Sequence, residues 1–181
     1  METKNRDRLK EILIKNSILR GEFTLASGKK SSYYIDARLT TLDPEGVSLV
    51  SAIFLEEILK DPAINAVGGP TMGADPIVGA ILAESHRIGK PLGGFLVRKK
   101  EKDHGTGKLV EGGLKPGDVT AVVEDVVTTG GSVLTAIEAV KAAGAEIRKA
   151  LVVVDREEGG DEVFEKMGIE LYSIFKISEL L

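Results

Sequence analysis

Between residues 64 and 175 the chain alternates short apolar, β-branched runs with helical stretches, and no other feature limits its fold so tightly. Strands are predicted over 64–67, 91–97, 119–123, 147–154 and 171–175. Helices are predicted over 76–87, ended by Gly89, over 132–143, ended by Gly144, and over 161–167. The strand runs are almost continuously apolar. Such strands are buried on both faces, which implies a mostly parallel twisted sheet flanked by helices, an α/β fold. Upstream, Leu9, Ile12 and Leu13 lie at helical spacing within 5–19. A short strand is expected over 33–37. Asp43 and Pro44 then read as the N-cap and first residue of a helix that carries Val47, Val50, Phe54 and Ile58 on one face. With no linker or repeat, residues 1–181 read as one domain, the first forty or so being a candidate subdomain.

Composition matters here mainly for what it excludes. The 181 residues carry a formal net charge of only -4 and no cysteine. The total charge gives no reason to expect nucleic acid or an anionic membrane as partner. Disulfides and Cys-based zinc sites are ruled out. The N-terminal METKNRDRLKEILIKNS has no signal-peptide apolar core, and no apolar run approaches membrane-spanning length. The expectation is a soluble, cytoplasmic protein.

One stretch breaks the alternation. Residues 98–113, RKKEKDHGTGKLVEGG, hold five basic residues, one His, three acids and four glycines, with little apolar content to anchor them. A connection this long inside a compact α/β domain is either a solvated loop or a functional one. The functional reading is a mobile cationic lid over an anionic substrate.

Chemistry concentrates in VVEDVVTTGGSV, residues 122–133. Gly130 and Gly131 let backbone approach a ligand, and Thr128, Thr129 and Ser132 offer hydroxyls. The following helix would aim free N–H groups and the positive end of its dipole at the same place. The alternative is a Gly-rich turn with Ser132 as N-cap. Glu124 and Asp125, expected just past the strand end, would repel a phosphate. Their natural targets are groups that donate hydrogen bonds, such as sugar hydroxyls. A phosphorylated ribose satisfies both halves. Neither G-x-x-x-x-G-K-[ST] nor a strand-borne G-x-G-x-x-G is present, which argues against a P-loop ATPase and a dinucleotide-binding domain.

VVEDVVTTGGS resembles the phosphoribosyl pyrophosphate motif of type I phosphoribosyltransferases. FTLASGKKSSYYID, VRKKEKDHGTGKLVEG and VVVDREEGG resemble the N-terminal signature, catalytic loop and base-binding segment of the orotate phosphoribosyltransferases. The resemblance implies the type I phosphoribosyltransferase fold, with a small N-terminal hood and a mobile catalytic loop. It implies a glycosyltransferase that uses Mg²⁺ to make orotidine 5-phosphate and pyrophosphate from orotate and phosphoribosyl pyrophosphate, in pyrimidine (UMP) biosynthesis. It assigns Arg98, Lys99, Lys102 and His104 to the pyrophosphate, Glu124 and Asp125 to the ribose, and Val126, Val127, Thr128, Thr129, Gly130, Gly131 and Ser132 to the phosphate loop. Lys102, His104, Arg98, Lys99 and Asp125 are the catalytic candidates. Arg156, Thr128, Tyr34 and Ile35 fall to orotate, and of Tyr33 and Tyr34 only one can face the ligand if they lie on a strand. A homodimer that shares its lids across the interface is implied as well. Two lysines common in the family are absent, with Ala26 and Met72 in their segments, which leaves Lys29 or Lys30 to compensate. His86 has no assigned role. The competing readings are transfer to another base, for which Arg156 would find no carboxylate, and a regulator without catalysis, which should have lost lid residues.

Overall fold

The computed structural model describes residues 2–24, 28, 30–99 and 109–181. The first helix, α1 (Glu2–Asn16), is followed by an antiparallel hairpin of β1 (Ile18–Thr24) and β2 (Lys30–Ile35). The sequence reading missed β1 because its residues are mostly exposed and carry no apolar alternation. The strand expected over 33–37 lies earlier. Asp36 leaves it, and Ala37 already caps the short helix α2 (Arg38–Thr41). Helix α3 (Pro44–Ile58) starts as expected, with the Asp43 side chain accepting from the N–H groups of Glu45 at 3.0 Å and Gly46 at 2.8 Å. Val50, Phe54 and Ile58 are fully buried on its inner face.

The remaining elements are β3 (Ala66–Pro70), α4 (Ala74–Arg87), β4 (Gly93–Val97), β5 (Val110–Gly112), β6 (Val119–Val127), α5 (Gly131–Ala142), β7 (Glu146–Asp155), α6 (Gly160–Lys166) and β8 (Glu170–Lys176). They build a six-stranded sheet in the order β5-β4-β3-β6-β7-β8. All neighbours are parallel except β5, which closes the β4 edge antiparallel. Adjacent residues on one strand feed opposite layers, as a period of two requires. Val123, Leu151 and Val153 pack with α1, α3 and α4, whereas Val122, Ala150 and Val152 pack with α5 and α6.

Two strand ends differ from expectation where the difference affects chemistry. β6 runs four residues past Val123, because Val126 and Val127 keep pairing with Val154 and Asp155 of β7. Glu124 and Asp125 therefore lie within the strand and not after it. β3 similarly continues through Gly68, Gly69 and Pro70. A side chain at Gly69 would place its Cβ 2.0 Å from the Val123 carbonyl oxygen, so glycine is what allows β3 and β6 to approach this closely.

Candidate active site

The C-terminal ends of β3, β4, β6 and β7 face the same side, where an open parallel sheet binds its ligands. A cavity of about 240 Å³ opens there, between the β2–α2 junction, the turn after β3 and the end of β6. Its walls carry Ile35, Asp36, Arg38, Met72, Gly73, Lys99, Glu124, Asp125, Val126 and Ser132. A second cavity of about 320 Å³ lies against Arg98, Lys99, Gly131, Ser132 and Thr135. Lys99 and Ser132 belong to both.

The two acids are not equivalent. Glu124 is buried, with 6% of its surface exposed, whereas Asp125 is half-buried. Burial, and then the neighbouring Asp125 carboxylate, push the Glu124 carboxyl up to about 9. Glu124 thus keeps its proton at neutral pH in the unliganded protein. The strand backbone helps to orient them: the Asp125 N–H donates to Glu124 Oε1 at 3.2 Å and the Val126 N–H to Asp125 Oδ1 at 2.8 Å.

This burial has a measurable sign. The folded chain retains a proton that the unfolded chain releases above about 4.5. The associated stability is complete below that value and is lost as pH rises toward about 9. Unfolding free energy should therefore fall with rising pH across that window, by at most ~1.4 kcal/mol per unit. Glu124→Gln should flatten the slope, as read from urea titrations at a series of pH values. An undiminished slope in the variant would place the proton elsewhere.

The phosphate-loop candidates follow directly. Gly130 adopts φ 84° and is itself the N-cap of α5, with no side-chain cap bond, so Ser132 lies inside the helix and is exposed. Its hydroxyl is not spent on capping. Helix α6 braces the loop from behind: a Cβ on Gly160 would lie 2.8 Å from the Thr128 carbonyl oxygen. The result is a left-handed turn at a helix N-terminus with three hydroxyl residues around it, an arrangement suited to an oxyanion.

Arg156 follows the last residue of β7. Its N–H donates to the Val127 carbonyl at 2.9 Å, which ties it to the end of β6. The side chain is only 11% exposed and pairs with Glu158 at 2.9 Å, while its Nε is buried with no partner. The guanidinium lies 5.5 Å from the centre of the Tyr33 ring, a cation–π distance. Tyr34, one residue on, is 39% exposed and packs its ring near Phe23 at 5.8 Å. Tyr33 thus joins the arginine, a contact that spacing alone could not choose.

Sequence reasoning also missed Asp36 and Arg38, which line the cavity as a bidentate pair. The signal was legible in YYIDAR, an acid and an arginine two apart just beyond a strand. At the base of the expected lid, the Arg98 N–H donates to the Leu109 carbonyl at 2.9 Å, and its side chain approaches Glu111 at 3.6 Å. The last part of 98–113 is β5, not open loop. Lys102 and His104, with Ala26 and Lys29, lie outside the described residues.

Comparison with known proteins decides the family. Residues 45–176 match the phosphoribosyl transferase domain. The orotate phosphoribosyltransferase of Rhodopseudomonas palustris (strain TIE-1) is 46% identical over 181 residues, covering 98% of this chain and 96% of that protein. The chain belongs to the orotate phosphoribosyltransferase family. The Aquifex aeolicus orotate phosphoribosyltransferase is likewise 46% identical, with 97% of each chain covered. Among solved structures, the Mycobacterium tuberculosis orotate phosphoribosyltransferase bound to Fe(III) dicitrate superposes with a TM-score of 0.86 at 38% identity, over 97% of this chain and 98% of that one. The complex of the same enzyme with 5-phospho-α-D-ribosyl 1-diphosphate gives 0.83 at 36% identity, with the same coverage. The expected type I phosphoribosyltransferase fold is therefore correct. Among the described residues no helix is long and apolar enough to cross a membrane.

Proposed function

We propose that this orotate phosphoribosyltransferase works through the residues gathered at the β3, β4, β6 and β7 ends, as follows. The 5-phosphate of phosphoribosyl pyrophosphate sits on Thr128 to Ser132, with the backbone of Val126 and Val127 completing the approach. Asp125 accepts from the ribose hydroxyls, and Glu124 beside it can donate or accept according to its proton. Arg98, Lys99, Lys102 and His104 hold the pyrophosphate. The orotate carboxylate pairs with Arg156, and its ring lies against Thr128, Ile35 and the Tyr33–Tyr34 strand. The observation that carries this reading is the buried, unpartnered Nε of Arg156, on a residue whose backbone N–H is tied to Val127 just before the loop that would hold the sugar phosphate. A planar anion that accepts two parallel hydrogen bonds is the ligand such a group fits.

In the reaction the C1–oxygen bond of the ribose breaks and its electron pair leaves with pyrophosphate. An orotate ring nitrogen then supplies the pair that forms the new bond, and its proton leaves with the pyrophosphate. Positive charge builds on the ribose, so the anionic Asp125 favours the transition state. Negative charge grows on the leaving group, and the lid cations meet it there. Exclusion of water while these cations hold the pyrophosphate protects the sugar cation from hydrolysis. Mg²⁺ would neutralise diphosphate charge when bound. Asp125, a carboxylate on the cavity wall, is a hard oxygen donor that fits it.

A homodimer fits the surface beside the site. A cleft of about 710 Å³ is lined by Leu39, Leu42, Met72, Pro44 and Pro76, with Arg38, Asp43 and Asp75 at its margin. Leu42 is 72% exposed and Met72 67%. Apolar surface carrying both charge signs suits a two-fold contact, in which the same patch meets itself. The cleft shares Asp36, Arg38 and Met72 with the substrate cavity, so a second copy there would adjoin the site. Sedimentation as a monomer at assay concentrations would refute it. The cytoplasm is the proposed location.

The test of function is direct. Purified protein, Mg²⁺ and phosphoribosyl pyrophosphate are mixed with one base at a time, and orotate should be consumed while hypoxanthine and uracil are not. Turnover of a neutral base without orotate loss would overturn the reading. Arg156→Ala should raise the KM for orotate by about 10–100-fold with a smaller change in kcat. An unchanged KM would remove Arg156 from the base pocket.

A further inference from the structure

The β2–α2 junction gives the substrate cavity a cation that none of the sequence motifs marks. Arg38 is the first residue of α2, and it borders the cavity with Lys99, Asp125 and Met72. Its guanidinium is held fork to fork by Asp36, Nε to Oδ1 at 2.8 Å and Nη2 to Oδ2 at 3.0 Å. The Arg38 N–H also donates to Asp36 Oδ1, at 3.2 Å. Among the described residues nothing takes Nη1, and the side chain keeps 42% of its surface open. An arginine fixed by one face of its fork, with the other edge free, is ready to bind an oxyanion without first paying to order its side chain.

Charge on the cavity wall shows why it is needed. Asp36 and Asp125 bring two carboxylates to it. Lys99 and Arg38 are the cations of this wall among the described residues, and Met72 adds none. Without Arg38 the wall would be net negative toward an anionic ligand. The 5-phosphate already has the loop at the start of α5, with its hydroxyls and the N-terminal end of the helix. The diphosphate is the remaining anion.

We propose that Arg38 binds the diphosphate of the sugar substrate, with Asp36 as its positioning residue. This rests on the reading that the cavity takes phosphoribosyl pyrophosphate. The protein holds the guanidinium edge toward the diphosphate before the ligand arrives, and the Asp36 carboxylate keeps it from swinging toward Asp125.

Calorimetric titration with two probes, inorganic pyrophosphate and ribose 5-phosphate, each with Mg²⁺, tests it on the full chain. Arg38→Gln should weaken pyrophosphate about 10–100-fold and leave ribose 5-phosphate within about twofold. Arg38→Lys keeps the charge but not the fork and should lose about half as much on a logarithmic scale. Asp36→Asn should raise the KM for phosphoribosyl pyrophosphate while leaving the KM for orotate unchanged. Circular dichroism verifies folding, and if Arg38→Gln fails to fold, Arg38→Lys supplies the comparison. Unchanged pyrophosphate affinity in a folded variant, or equal loss for both probes, would overturn the proposal. A wild-type protein that does not turn over orotate would sink the activity instead, because the pyrophosphate titration reports on Arg38 either way.

Discussion

Lys102→Ala is expected to lower kcat by about 10²–10³-fold while the melting curve stays that of the wild type. The residue stands in RKKEKDHGTGK, a run with little apolar content to contribute to a core. What the substitution removes is a positive charge where pyrophosphate departs. That charge is worth most when the bond to ribose is largely broken, so kcat should suffer more than the KM for phosphoribosyl pyrophosphate. Steady-state kinetics with near-wild-type kcat would discard the lid mechanism. A mixing experiment then separates the two geometries of the lid. If it reaches the neighbouring subunit, combining inactive Lys102→Ala with inactive Asp125→Asn leaves each mixed dimer with one complete site. Random exchange would restore about a quarter of wild-type activity. No recovery after exchange would mean that each lid serves its own subunit.

Gly73→Ala should be nearly as damaging, for a reason visible only in three dimensions. Gly73 has φ -61°, so its backbone would accept any residue. The obstacle is space: a Cβ there would lie 1.8 Å from Glu124 Oε1 and 2.5 Å from Asp125 Oδ1. Glu124 is buried and cannot swing into solvent, so the acid pair and the turn after β3 must move apart. Displacing groups that position the reacting sugar by about an ångström costs on the order of 10²-fold. We expect kcat/KM for phosphoribosyl pyrophosphate to drop by about that factor, with a smaller effect on the KM for orotate. Because the clash falls on side-chain oxygens and not on packed core, thermal stability should change by only about 1–2 kcal/mol. Wild-type kinetics in a folded Gly73→Ala would mean that the pair is not held against this turn during catalysis.

The parallel sheet and its two helical layers were legible because burial on both faces leaves a continuous apolar record, as at residues 121–123 and 150–154. The hairpin strand β1 left none, since its side chains are largely exposed, and the edge strand β5 is three half-buried or exposed residues, too short to show a pattern. The end of β6 was misjudged because acids usually signal the end of a strand, whereas here pairing with β7 carries the ladder past them.

The residues with a local signature, such as Thr128 to Ser132 and Arg156, could be named from sequence, because turn chemistry and charge type are properties of neighbours along the chain. The tertiary structure decided everything that depends on distance between segments far apart in sequence. It brought Tyr33 to Arg156, Gly73 to the acid pair, and Asp36 and Arg38 to the same wall as Lys99. It also made Glu124 and Asp125 chemically different, although they are adjacent in sequence. Burial shifts a carboxyl by removing water, and how much water reaches a side chain is set by what packs over it from elsewhere in the fold.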